Sequence, residues 1–254
     1  GPQRGAWAAA SLPALAAVYA LVIATLLLLS LASLWPFPAL WPQQLGLAAW
    51  ARVADAADTL WFTAALAAFA SVMALILTVA WLEAAPARWD AWAMPVVLAP
   101  LVLPGLLLMA GLYQGALQLR LDGSLAGMAW VHVLVVLPYT FITLHPAWRA
   151  FDRRLEHTAL ALGRGRWAFW GRVKWPLLAA PLASALAVGF AVSVAQYLAT
   201  QFIGAGRHPT ITTEAVTLAS GGQRSLAAAF ALLQALLPGL AFGAAAWIGA
   251  RRGT

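Results

Sequence analysis

The sequence predicts an all-α integral membrane protein with six transmembrane helices and both termini on the cytoplasmic side. Three observations carry that reading. Apolar residues fill 63% of the 254 positions and charged residues only 9%, well outside the soluble range. Six stretches are long and apolar enough to cross a hydrocarbon layer of roughly 30 Å, which takes about 20 helical residues. The lysines and arginines gather in alternate inter-helix segments, as membrane topology demands.

The six spans are Leu12–Leu34, Leu60–Leu82, Ala93–Leu112, Met128–Thr143, Leu177–Thr200 and Leu226–Ala250. The first follows Arg4 and is longer than the 7–15 residues of a signal-peptide core, so it reads as a retained helix. The chain opens on Gly1-Pro2 without Met, as expected of a trimmed tag or a piece of a longer polypeptide. Pro36, Pro38 and Pro42 punctuate the connection after span one, where a short surface helix is expected near Leu45–Ala57. In span three, Pro95, Pro100 and Pro104 predict kinks, as does Pro138 in span four, the shortest, which extends toward Trp148. Trp35, Trp41, Trp61, Trp89, Trp92 and Trp247 sit at span ends, where indole anchors at the headgroup level.

Orientation follows from the cations. With the N-terminus inside, eleven fall on the cytoplasmic side: Arg4, Arg88, Arg149, Arg153, Arg154, Arg164, Arg166, Arg172, Lys174, Arg251 and Arg252. Only Arg52, Arg120, Arg207 and Arg224 fall opposite. A net charge of +7 alone would fit nucleic-acid binding, but its placement in short loops fits topology instead. The chain has no cysteine, which excludes thiolate metal sites and disulfides.

The densest cationic segment is the cytoplasmic loop of about residues 149–176, between spans four and five. Glu156 to Leu162 contains no breaker and puts Leu155, Ala159 and Leu162 on one stripe. Gly163 and Gly165 then allow a sharp turn, with Gly163 expected at positive φ. A second amphipathic segment runs from Trp167 to Trp175, and Pro176 suits the first turn of span five. On charge and tryptophan content alone, an ordinary interfacial helix explains this loop.

Spacing points further. The stretch resembles the EAA loop of permease subunits of binding-protein-dependent ABC importers: a Glu/Ala-rich helix, a glycine, nine residues, then an aliphatic, any residue, Leu and Pro. Here Gly163 is followed by nine residues and then Val173, Lys174, Trp175 and Pro176. The motif's Glu-Ala-Ala falls on His157, Thr158 and Ala159, with Glu156 just before, and Trp175 stands where the motif has Leu. The stretches "VLAPLVLPGLLLMAGL" (97–112), "HVLVVLPYTFITLHPAWRAFD" (132–152) and "PTITTEAVTLASGG" (209–222) also look like type I importer permeases, most like the thiamine, iron and polyamine branch.

That resemblance implies one transmembrane domain over 1–254, either whole or one half of a longer two-half permease. It also implies that the loop is a coupling helix docking on a cytoplasmic ATPase dimer, through Glu156, His157, Thr158, Ala159, Leu162, Gly163, Arg166, Trp167, Val173 and Pro176. Its other implied partners are an extracytoplasmic solute-binding protein, membrane lipid and a second six-helix unit, whether the same chain, another chain or a fused half. The implied setting is the bacterial inner membrane. No GxxxxGK[ST] occurs in the sequence, so the chain is expected to be a non-catalytic subunit without cofactor, with ATP and Mg²⁺ held by the partner ATPase.

Two other classes fit the sequence less well. An ion-coupled carrier usually places acids in mid-membrane, whereas all eight here fall in loops or at span ends: Asp55, Asp58, Glu83, Asp90, Asp122, Asp152, Glu156 and Glu214. An intramembrane metalloenzyme needs clustered ligands, whereas His132 and His145 lack companions at metal-ligand spacing and read as hydrogen-bonded interhelical or interfacial histidines.

For a solute pathway the candidates are Ser193, Gln196, Tyr197, Thr200 and Gln201, with 193, 197 and 200 on one face of a continuous helix. Interhelical hydrogen bonding is the equal alternative. "PTITTEAVTLASGG" is expected to form a re-entrant or interfacial helix, capped by Thr212 or Thr213 and ended by Gly221-Gly222. Glu214 either attracts a cation or favours that helix's N-terminal end. This set fits a small organic cation such as thiamine or a polyamine, and it leaves iron and an oxyanion open.

Overall fold

A computed structural model describes residues 2–36, 38–152 and 154–251, with side chains described from Ser11 onward. Arg4, Arg153 and Arg252, counted above as cytoplasmic charges, lie outside the described side chains. Among the described residues the fold is all-α apart from one two-stranded ribbon. Among the described residues five helices are long and apolar enough to cross a membrane, and a broken pair makes a sixth if counted as one span. The chain divides into two compact units: Gly1–Leu60 with Ile211–Ala235, and Trp61–Thr210 with Leu236–Thr254.

In the first unit, α1 (Pro2–Leu31) ends three residues before the expected Leu34. The reason is β1 (Ala32–Leu34), which pairs antiparallel with β2 (Gln44–Leu45) and diverts the chain. The expected surface helix is α2 (Ala48–Asp55). Trp50 Nε1 donates to Ser30 Oγ (3.2 Å), tying α2 to the end of α1. Helix α11 (Ile211–Ser220) follows Pro209, and Gly222 at φ 78° turns the chain into α12 (Arg224–Ala250). Because α11 begins at Ile211, Thr212 and Thr213 lie inside its first turn and not at its cap. Ser225 Oγ donates to the Ser30 carbonyl (3.1 Å), joining the start of α12 to the same end of α1.

The second unit is built on α3 (Ala57–Ala84), α6 (Leu125–Arg149) and α9 (Trp175–Val194). These helices meet around Gly189. A Cβ there would lie 2.9 Å from Thr140 Cγ2, 3.0 Å from Val136 Cγ1 and 3.1 Å from Ser71 Cβ. Close approach at a small residue is how apolar helices associate where lipid competes equally for apolar contact. One core gathers Leu66, Met109, Met128, Val131 and Ile203, and a second gathers Leu82, Phe141, Leu144, Trp148 and Leu178. Ser124 caps α6 by accepting from Gly127 N–H (3.0 Å), and the helix continues through Pro138 and Pro146 to Arg149. Span four is therefore longer at both ends than its apolar run.

Two expected spans differ in the structure. Span three is no kinked rod but two helices, α4 (Asp90–Val102) and α5 (Gly105–Gln118), bent by 108°. The cause is Pro104, which bars Leu103 from helical geometry; Leu103 is extended at φ −73°, ψ 142°. Pro104 is extended too, at ψ 129°, so two successive residues redirect the chain. Span five ends at Val194, not Thr200. Gln196 N–H tightens onto the Ser193 carbonyl (3.2 Å), and the chain restarts as α10 (Leu198–Gly204). Residues 193, 197 and 200 therefore do not share the face of one helix.

Candidate functional site

The loop between α6 and α9 is a helix, a glycine turn and a second helix. Asp152 Oδ1 accepts from Arg154 N–H (2.9 Å), starting α7 (Arg154–Ala161) with a side-chain cap. Gly163 ends it at φ 71°. Arg164 N–H bonds the Ala159 carbonyl (3.0 Å) and Gly163 N–H the Leu160 carbonyl (3.0 Å), the paired bonds of a Schellman ending. Gly165 is extended, at ψ 157°, and opens α8 (Arg166–Phe169). The next five residues, Trp170–Lys174, form a π turn that runs directly into α9. The second amphipathic segment is thus the first part of one helix from Arg166 to Val194, not a separate element.

The tip of this loop is bare. Leu162 is 75% exposed and Trp167 90%, although both are large and apolar. His157, Thr158, Gly163, Arg164 and Arg166 are exposed beside them. Glu156, Ala159, Val173 and Pro176 are half-buried. Arg166 Nε lies 3.6 Å from Glu156 Oε1 across the turn. Trp170 does not project outward: its ring meets Trp148 edge-on at 6.3 Å.

Below the tip, two charged clusters tie the loop to its supporting helices. Lys174 is buried, ion-paired with Glu83 at the end of α3. Its Nζ also sits 4.4 Å from the Trp148 ring centre and 4.6 Å from that of Trp170. The aromatic faces and the carboxylate together compensate a cation taken from water. The second cluster centres on Asp90, the first residue of α4. Arg149 grips it with two bonds, Nε to Oδ2 and Nη2 to Oδ1, each 2.7 Å. His145 Nε2 lies 2.9 Å from Oδ2, and Trp81 Nε1 donates to Oδ1 at 3.4 Å. Arg149 also donates to the carbonyls of Leu82 (3.2 Å) and Ala85 (3.1 Å), which the end of α3 leaves without helical partners. One guanidinium therefore closes α3, anchors α4 and fixes the last turn of α6. Sequence reasoning missed this cluster. The available signal was His145 and Arg149 four apart on α6, with an acid opening the helix after span two.

Of the solute-pathway candidates, the structure joins Ser193 and Thr200 through His132. All three are at least 97% buried. Nδ1 lies 2.8 Å from Ser193 Oγ and Nε2 3.2 Å from Thr200 Oγ1. Thr200 gives its proton to the Gln196 carbonyl (3.1 Å), so a neutral imidazole here donates from Nε2 and accepts from Ser193 at Nδ1. Seven residues of straight helix would separate Ser193 from Thr200 by about 10.5 Å along the axis. The break after Val194 lets a single ring reach both. These two hydroxyls are thus engaged in interhelical bonding. Gln196 and Tyr197 are half-buried at the break and Gln201 is exposed. In the other unit Thr212 and Thr213 are buried, and Glu214 is half-buried in the first turn of α11.

No family model matches the chain. It is 46% identical over 184 residues to the inner membrane ABC transporter permease protein YnjC of Escherichia coli, covering 71% of this chain and 35% of that protein. It is 30% identical over 131 residues to the molybdenum transport system permease protein ModB of Mycobacterium tuberculosis, covering 47% of this chain and 50% of the relative. ModB of Mycobacterium bovis matches to the same extent. The matched stretches thus span about a third to a half of these relatives' lengths. None of these three relatives is named for thiamine, iron or polyamine.

Proposed function

Because the chain belongs, over the residues it shares with these relatives, to the ABC transporter permease family, we propose that it is the transmembrane subunit of an ATP-driven importer of the inner membrane, coupled to a separate ATPase through residues 156–176. The observation that carries this is the loop itself. An apolar tip of Leu162 and Trp167, bare to solvent, ends a helix that continues without a break to Val194. Lys174 with Glu83 holds the base of that lever against α3, and Arg149 with Asp90 ties the end of α6, where the loop begins, to α4. A rigid helix clamped at its base passes a displacement at the tip to the membrane span as a whole-body movement. The docking contact on this reading is Leu162, Gly163, Arg164, Arg166 and Trp167, while Glu156 and Ala159 serve the loop's own packing.

ATP and Mg²⁺ then belong to the partner chain, and an extracytoplasmic binding protein delivers the solute to this subunit and a second permease half. For the solute, Gln196, Tyr197, Gln201 and Glu214 favour a small cation such as thiamine, a polyamine or iron. The similarity to molybdenum permeases over 131 residues favours an oxyanion. The ligand carried by the binding protein decides between them.

The purified chain alone is expected to hydrolyse no nucleotide and to drive no solute uptake from an ion gradient in liposomes. With its ATPase it is expected to support ATP-dependent uptake. Gradient-driven uptake without ATP would replace this reading with the ion-coupled carrier.

A further inference from the structure

The first unit contains a pocket of about 880 Å³ that the transport reading does not use. Its wall is formed by the end of α1, the ribbon, α2 and the first turn of α12. Arg52 and Arg224 both line it, as do Gln223, Ser33 and Trp35. No carboxylate lines it, and among the described residues neither arginine has a carboxylate within 4.0 Å. Arg52 Nη1 donates to Gln223 Oε1 (2.9 Å), which orients the guanidinium across the cavity and leaves its other N–H groups available. The first turn of α12 adds the positive end of a helix dipole to the same wall.

The pocket's depth is defined by the same unit. Leu29, in the last turns of α1's apolar run, and Leu226, at the start of α12's, also line the pocket. The helical apolar run of α1 ends there at Leu31 and that of α12 begins there after Gln223-Arg224, so the pocket lies at the end of two membrane-spanning runs. Two forked cations without counter-charge select a group with several anionic oxygens, and guanidinium matches such oxygens in pairs.

We propose that this pocket binds a tetrahedral oxyanion of the phosphate class, presented either by an anionic lipid headgroup or as a free ion. The arginines bind the oxygens, and Leu29 with Leu226 supplies an apolar wall that a lipid's glycerol and upper acyl carbons would fill. The proposal is independent of the coupling loop and stands or falls without it.

The test uses the full chain purified in detergent. Native mass spectrometry measures retention of phosphatidylglycerol against phosphatidylcholine, and equilibrium dialysis measures binding of inorganic phosphate. The wild-type chain is expected to bind phosphatidylglycerol or inorganic phosphate, and Arg52→Gln with Arg224→Gln to weaken that binding about tenfold or more. Arg52→Lys with Arg224→Lys, which keeps the charge and loses the fork, is expected to fall between. Arg88→Gln with Arg251→Gln removes the same charge at exposed positions elsewhere and is expected to change nothing. Preferential retention of the lipid assigns a headgroup, and phosphate binding without lipid preference assigns a free anion. Wild-type chain that binds neither, or an equal loss in the control pair, overturns the proposal.

Discussion

Gly163→Val is expected to leave membrane insertion and expression near normal while abolishing the ATP hydrolysis that the proposed coupling would support in a partner ATPase. The glycine holds φ 71°, and a Cβ built on it meets nothing within 4 Å. The substitution therefore costs backbone strain and no collision. For a β-branched residue that strain is about 1–3 kcal/mol. Relieved by continuing α7 straight, it shifts a two-state loop about 5- to 150-fold away from its native form. The Schellman bonds from Gly163 and Arg164 break in that form, and the turn between Leu162 and Trp167 is lost. Core helices of the second unit do not depend on the turn, so thermal stability moves little. Gly163→Asn is the diagnostic companion: asparagine tolerates the left-handed region, so it is expected to recover much of the coupling. Equal loss in both variants would point to the added side chain at the docking tip and away from the shape of the turn.

The second large effect is expected at Arg149. Arg149→Leu strands the Asp90 carboxylate, with both side chains of the pair 15% exposed or less, and frees the Leu82 and Ala85 carbonyls. Removing one partner of a buried pair costs about 3–5 kcal/mol. The variant is expected to unfold at markedly lower temperature in detergent. Asp90→Leu with Arg149→Leu removes the stranded charge and is expected to regain part of the loss, though not the two carbonyl bonds. If Arg149→Leu matches the wild type in thermal unfolding, the cluster is a solvated surface pair and contributes nothing to the clamp.

Much of the fold was legible because membrane composition leaves few alternatives. Apolar runs located the spans, and Gly163 between two amphipathic stretches located the turn. What escaped depends on residues far apart in the chain. Asp90 and Arg149 were read separately, as a loop acid and a topology charge, since no local pattern pairs positions 59 apart. His132 was read as a hydrogen-bonded histidine, but its choice of Ser193 and Thr200 required the break after Val194. That break follows from tertiary bonding and carries no proline to announce it. Pro104 was visible, yet its effect was underestimated. A proline within a helix kinks it, whereas Leu103 and Pro104, both extended, turned the chain through 108°. The π turn at Trp170–Lys174 had no sequence signature, and it makes the loop and span five one lever.

The coupling claim is tested most directly by thiol protection, because the chain has no cysteine of its own. Gly165→Cys places a thiol at the exposed tip without collision, and Ser220→Cys places one at the exposed end of α11. A membrane-impermeant reagent is applied to each side of sealed vesicles, with and without the ATPase. The account predicts that Cys at 165 reacts only from the cytoplasmic side and is shielded when the ATPase binds. Cys at 220 should react only from the opposite side and be indifferent to the ATPase. Labelling of both from one side, or unchanged reactivity at 165 with the ATPase bound, would contradict it.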